Sequence, residues 1–184
     1  DIPSFRYGNI AGTIVSLGEF GLLFAVPLFL AAVQRYSAFE TGLCFVPLAL
    51  GSFIAAPMAP ALTKRYGARR VVTLGMAFEA VGIGAIGLLI SPQTTGLQLL
   101  VPFLVYGIGV GFATAQLTNV ALGEVPITES GQASAVQSTL RQVGSALGTA
   151  VLGVALAVAT TAHVTSSLTA EGVPQGQADA IAQA

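Results

Sequence analysis

Charge is what this sequence has least of. Only 8% of its residues are Asp, Glu, Lys or Arg, where a soluble domain carries about 25%. Hydrophobic residues make up 54% and the mean hydropathy is +0.81. A water-soluble core cannot absorb that much apolar sequence, so the composition places the chain in a bilayer. A net charge of −1 leaves no electrostatic footprint for nucleic acid, which is excluded as a partner. The one cysteine, Cys44, cannot form an internal disulfide. The one histidine, His163, has no cluster of Cys or acids around it; it reads as a solvated side chain, and no metal site is expected. His163 also lies beyond the apolar runs, which hold no Ser-His or paired-Asp arrangement. Hydrolysis inside the membrane is therefore disfavoured, and no enzyme activity is expected. The N-terminus lacks the layout of a cleaved signal peptide. It begins at Asp1 rather than Met, which reads as a fragment.

What is present is five long apolar stretches, approximately 8–33, 41–62, 71–90, 97–122 and 133–160. Each can supply the roughly 20 helical residues that cross about 30 Å of hydrocarbon. Helices are expected because lipid offers no partner for an unpaired backbone group. The runs are continuous, whereas a barrel strand alternates polarity over about ten residues. Ser37-Ala38-Phe39-Glu40 fits a capping box that starts the second span. Ser91-Pro92-Gln93-Thr94-Thr95-Gly96 is a breaker-rich turn, and Thr128 is placed to cap the fifth span. Residues 161–184 read as an external polar loop or tail, with a short helix over Gln175 to Ala184.

The seven basic residues are unevenly spread. Four of them fall in Lys64-Arg65-Tyr66-Gly67-Ala68-Arg69-Arg70, between two apolar runs. Arg6 falls on the same side of the membrane, and Arg35 on the other. Basic residues in short loops mark the cytoplasmic face, so the N-terminus and the 63–70 loop are expected in the cytoplasm of a multi-pass cell-membrane protein. An echo links Glu40-Thr41-Gly42, opening span two, to Glu129-Ser130-Gly131, opening span five. The two sit on opposite sides of the membrane, as in an inverted repeat of three helices plus three. Spans one to three then form one triplet, and the second triplet lacks its last helix.

The run Val26-Pro27-Leu28-Phe29-Leu30, followed by Gln34 to Leu43 and Pro47, resembles the C-terminal half of major facilitator superfamily transporters, within the 14-span drug:H+ antiporter branch. Gly131-Gln132-Ala133-Ser134-Ala135-Val136-Gln137 and Leu140 to Gly148 are similar to the same branch. The basic turn resembles the second copy of that superfamily's loop motif, G-x-x-x-D-R-x-G-R-R. Arg65, Gly67 and Arg69 match in kind, and Arg70 follows. Pro60 stands at the leading Gly, Lys64 at the Asp and Ala68 at one Arg, which removes the acid that partners a neighbouring helix end. The resemblance implies an all-α membrane protein: five transmembrane helices of a six-helix half. It implies secondary active transport, foremost proton-coupled efflux of drugs or other small amphipathic compounds by alternating access. It implies no cofactor, with a proton gradient as the energy source. The partners are the lipid bilayer, a small-molecule substrate and the missing N-terminal half. Another major-facilitator carrier, of a metabolite or sugar, and a non-transporting scaffold subunit are the alternatives.

Two acids lie within spans: Glu19 about halfway along the first and Glu79 near the middle of the third. Such an acid costs about 2.5–3.5 kcal/mol to insert, so it faces a cavity or a partner. Each reads either as a carrier of protons or cationic substrate, or as a side chain hydrogen-bonded inside the bundle. Arg141, one turn beyond Gln137, either snorkels to lipid phosphates or pairs with a carboxylate or substrate. Gln116, Asn119 and Gln137 either line the transport pathway or bond helix to helix. Gly107-x-Gly109-x-Gly111 lies inside an apolar span with no preceding strand, so a nucleotide loop is rejected. Gly8-x-x-x-Gly12 and Gly144, Gly148 and Gly153 are expected to let helices pack closely or slide. Pro27, Pro47, Pro57 and Pro60 are expected to kink their helices.

Overall fold

The computed structural model describes residues 2–91, 93–170 and 174–177. Five helices account for nearly all of them: α1 (Pro3–Ala32), α2 (Ala38–Tyr66), α3 (Ala68–Leu89), α4 (Gly96–Leu122) and α5 (Ser130–Ala170), with a short 3-10 turn at Ile127–Glu129. The shortest, α3, has 22 residues, which at 1.5 Å per residue is about 33 Å, enough to cross the hydrocarbon. All five are long and apolar enough to span a membrane. Their outer faces carry large apolar side chains: Phe53, Leu88 and Leu97 are each more than three-quarters exposed. In water that surface would be costly, and in lipid it is solvated.

Local chemistry sets the helix ends. At α2 the backbone N–H of Ser37 donates to Glu40 Oε2 at 2.8 Å, and Glu40 N–H donates back to Ser37 Oγ at 3.3 Å. This is the capping box read from the sequence. Thr128 does not cap α5. It lies inside the 3-10 turn, and Ser130 Oγ donates to the Ile127 carbonyl at 2.8 Å. Three helices also outrun the expected spans: α1 begins at Pro3 rather than Gly8, α2 ends at Tyr66 rather than Leu62, and α5 continues to Ala170 rather than Thr160. Hydroxyl groups ease the last extension, because Thr160 and Thr169 bond back to the carbonyls of Leu156 and Thr165. His163 therefore sits within α5, although its side chain is outside the described residues. Of the helix expected over 175–184, only 175–177 are described, and they are helical. The helices run on through Pro27, Pro47, Pro57 and Pro60.

Helix α4 is central. It packs along α2 and α3 and touches α1, while α5 packs along α1. Accordingly 56% of the most apolar stretch of α4 is buried, against 11% for α5. Lipid gives helices no hydrophobic drive to associate, so small residues that let backbones approach must hold them. At Gly51 a β-carbon would lie 2.6 Å from the Leu104 carbonyl oxygen of α4, and at Gly75 2.7 Å from the Ala113 nitrogen. Gly107 rests against Leu48 in the same way, and Gly111 against Ala55 and Ser52. The Gly107-x-Gly109-x-Gly111 run is thus a packing seam.

The packing also carries the repeat. Exchanging α1 with α4 and α2 with α5 turns the α1–α5 pair into the α4–α2 pair, and both pairs are extensive. The spacing from Gly42 to Gly131 equally carries Cys44 to Ala133, Ala55 to Gly144 and Ala59 to Gly148, and all six of these last residues are buried. Helices α2 and α5 therefore share one buried register.

Candidate functional site

Glu79 sits at one of the close approaches of α3 to α4. The backbone of Gly109 lies against it: a β-carbon at Gly109 would fall 2.6 Å from the Glu79 nitrogen and 2.8 Å from its Cγ. Glu79 is only 6% exposed, and its Oε1 has no hydrogen-bond partner. Less than a turn further along α3, Gly82 admits Tyr106 of α4, whose Cβ would lie 2.6 Å from an added β-carbon. Tyr106 is buried, and its hydroxyl also lacks a partner. Two unsatisfied buried polar atoms on facing helices are unusual, because each carries an unrepaid desolvation cost of about 1–3 kcal/mol.

Glu19 comes from α1 and is half-buried. It lies within electrostatic reach of Glu79, Tyr106 and Arg141. Three helices thus bring two carboxyl groups and a phenol into one electrostatic neighbourhood, and a fourth brings a guanidinium.

Arg141 is held by α5, whose glycines bring it onto α1. Its Nε donates to Ser16 Oγ at 3.4 Å, and its stem lies over Gly12, with Cγ 4.0 Å from where a β-carbon would be. Gln137, one turn earlier, is 7% exposed. The two line a cavity of about 290 Å³ together with Phe20, Ser134, Ser138, Gln142 and Ser145. On their other side they line a narrower crevice with Gly12, Val15, Thr114, Leu117 and Thr118. The remaining sequence candidates lie elsewhere: Gln116 is buried in α4 and Asn119 is exposed, and neither lines the cavity.

The packing glycines differ among themselves. Gly144 and Gly148 lie against the carbonyl oxygens of Thr13 and Leu17 with no room for a β-carbon. At Gly153 a β-carbon would sit 3.7 Å from Phe24, an ordinary contact. Gly8 meets Ala121 at 2.8 Å, while Gly12 has 3.5 Å to Leu117. In the basic turn, Arg65, Gly67, Arg69 and Arg70 are all exposed, and the Arg65 guanidinium stacks 5.3 Å from the Tyr66 ring centroid. Gly67 has φ of 86°, a conformation glycine adopts without strain, and this lets one residue join α2 to α3.

One buried and one half-buried acid, a guanidinium in the field of the second and a cavity lined by amide and hydroxyl groups can bind and move charge. The profile of the Major Facilitator Superfamily matches residues 4–164. The chain belongs to the Major Facilitator Superfamily. Within the superfamily it is 30% identical over 149 residues to the multidrug resistance protein B homolog of Mycobacterium tuberculosis, a match covering 80% of this chain and 28% of that protein. It is 32% identical over 162 residues to the multidrug resistance protein Stp of Mycobacterium tuberculosis, covering 85% and 30% respectively. It is 30% identical over 152 residues to the multidrug efflux pump LfrA of Mycolicibacterium smegmatis, covering 83% and 30%. The chain thus spans under a third of the length of these curated relatives.

Sequence reasoning missed Tyr106, Ser16 and the serines of α5. The serines were visible in principle: Ser134, Gln137, Ser138, Arg141 and Ser145 recur at three- and four-residue spacing, a polar stripe on one face of an apolar helix. Tyr106 gives no such signal, since an aromatic residue in an apolar span reads as packing.

Proposed function

We propose that the chain forms most of the second half of a proton-driven exporter of drugs or other small amphipathic compounds, working by alternating access. The observation that carries this reading is the buried, unpartnered Glu79 carboxyl between α3 and α4, within electrostatic reach of Glu19, which itself lies in the field of Arg141. A carboxyl held out of water with an unused oxygen suits an exchangeable proton or a cationic group of a substrate. The names of the relatives support efflux of drugs as the transported class. In this reading Glu79 and Glu19 take and release the proton, and the cavity beside Gln137 and Arg141 contacts the substrate. The proton gradient supplies the energy, and the other half of the transporter completes the pathway. The protein sits in the cell membrane, with its N-terminus and basic turn in the cytoplasm and the end of α5 outside.

The test is accumulation of a fluorescent cationic dye in cells expressing the full-length protein. Expression lowers accumulation, an uncoupler restores it, and Glu79→Gln abolishes or narrows the export. Unchanged accumulation on expression, with and without uncoupler, would remove the exporter reading.

A further inference from the structure

The turn between α2 and α3 has features that orientation alone does not require. Lys64, Arg65, Arg69 and Arg70 are all exposed, and no carboxylate is paired with any of them among the described residues. Beside them a groove of about 240 Å³ opens between the two helices, lined by Leu62, Tyr66, Arg70, Val71 and Leu74. Tyr66 and Arg70 stand at its basic end. Leu62 and Leu74 each lie one helical turn deeper on their own helix, so the groove runs from the charged rim into the hydrocarbon. Its outer wall is open to lipid, with Tyr66 47% and Leu74 43% exposed.

We propose that this turn and groove form a binding site for an anionic phospholipid, with the headgroup phosphate on Arg65, Arg69 and Arg70 and one acyl chain along Leu62, Tyr66 and Leu74. The charge balance decides the headgroup. Unneutralised basic side chains at the membrane surface attract a net negative lipid, and a zwitterionic lipid brings no net charge. Arginine also offers a planar fork that matches phosphate oxygens. The apolar groove decides between a lipid and a free anion, because soluble phosphate would leave it unused. The lysine at position 64 completes the site, since an acid there would repel the same headgroup. This site is separate from the Glu19, Glu79 and Arg141 cluster and stands or falls apart from it.

The experiment is native mass spectrometry of the full-length protein in detergent, titrated with phosphatidylglycerol and phosphatidylcholine of identical acyl chains. The protein retains phosphatidylglycerol in preference. Each basic residue removed lowers that preference about five-fold, so the double variant Arg69→Gln/Arg70→Gln loses about 25-fold. The Lys64→Gln/Arg65→Gln pair carries the same expectation if the first variant fails to fold. Filling the groove with Leu74→Trp lowers phosphatidylglycerol retention with all charges intact. Arg35→Gln, at the opposite end of the helices, changes nothing. Equal retention of the two lipids would overturn the proposal. So would displacement by inorganic phosphate, or indifference to Leu74→Trp, because either would leave only surface attraction for an anion.

Discussion

Gly148 of α5 lies against the carbonyl oxygen of Leu17 on α1, with no space for a β-carbon between them. Gly144 repeats the contact one turn earlier against Thr13. This seam sets the distance between α1 and α5, and so the position of Arg141, which follows Gln137 and precedes Gly144 on the same helix. Gly148→Val must push the two backbones apart. The expected loss is at least the 1–3 kcal/mol or so typical of overpacked sites, read as a lower thermal unfolding midpoint of the full-length protein in detergent. Gly153→Ala, which has room, leaves the midpoint unchanged within error.

Arg141 reaches Ser16 and the field of Glu19 together. Arg141→Gln keeps a polar, hydrogen-bonding side chain but shortens it and removes the charge. Hydrogen bonds to charged groups contribute about 1.5–3 kcal/mol, so transport is expected to fall about ten- to hundred-fold with membrane levels unchanged. Arg141→Lys restores the charge without the fork and recovers part of the rate. If Arg141→Gln transports at the original rate, the residue is only a packing stem.

The basic turn predicts a topology that chemistry can read. Gly67→Cys introduces a thiol at an exposed position with nothing within 4 Å of its β-carbon, while the native Cys44 is buried. A membrane-impermeant maleimide is expected to label this variant in inside-out vesicles and not in intact cells. The positive φ of Gly67 makes Cys strained there, so Tyr66→Cys, also exposed, serves as a second reporter. Labelling of both from outside intact cells would reverse the orientation.

The spans were legible because bilayer solvation writes them as long apolar runs, and the Ser37–Glu40 cap was legible because its chemistry is local. The end of α5 was not, because the polar residues after Thr160 read as loop, yet the hydroxyls of Thr160 and Thr169 bond back to carbonyls along the helix. The candidate site was legible in its charges, since Glu19, Glu79 and Arg141 are conspicuous in apolar sequence. What brings them together was not. The approach of Gly109 to Glu79 and of Gly82 to Tyr106 depends on which helix faces meet. One chain of small residues offers several such faces, and only the assembled bundle selects among them.

Proton-coupled transport through Glu79 is tested most directly in proteoliposomes holding the full-length protein, with an imposed pH gradient and a fluorescent cationic substrate. The wild-type protein is expected to move substrate against its gradient until the pH difference is collapsed. Glu79→Gln, reconstituted at the same density, is expected to leave substrate at equilibrium. Uphill transport by Glu79→Gln at the wild-type rate would contradict the role given to this carboxyl.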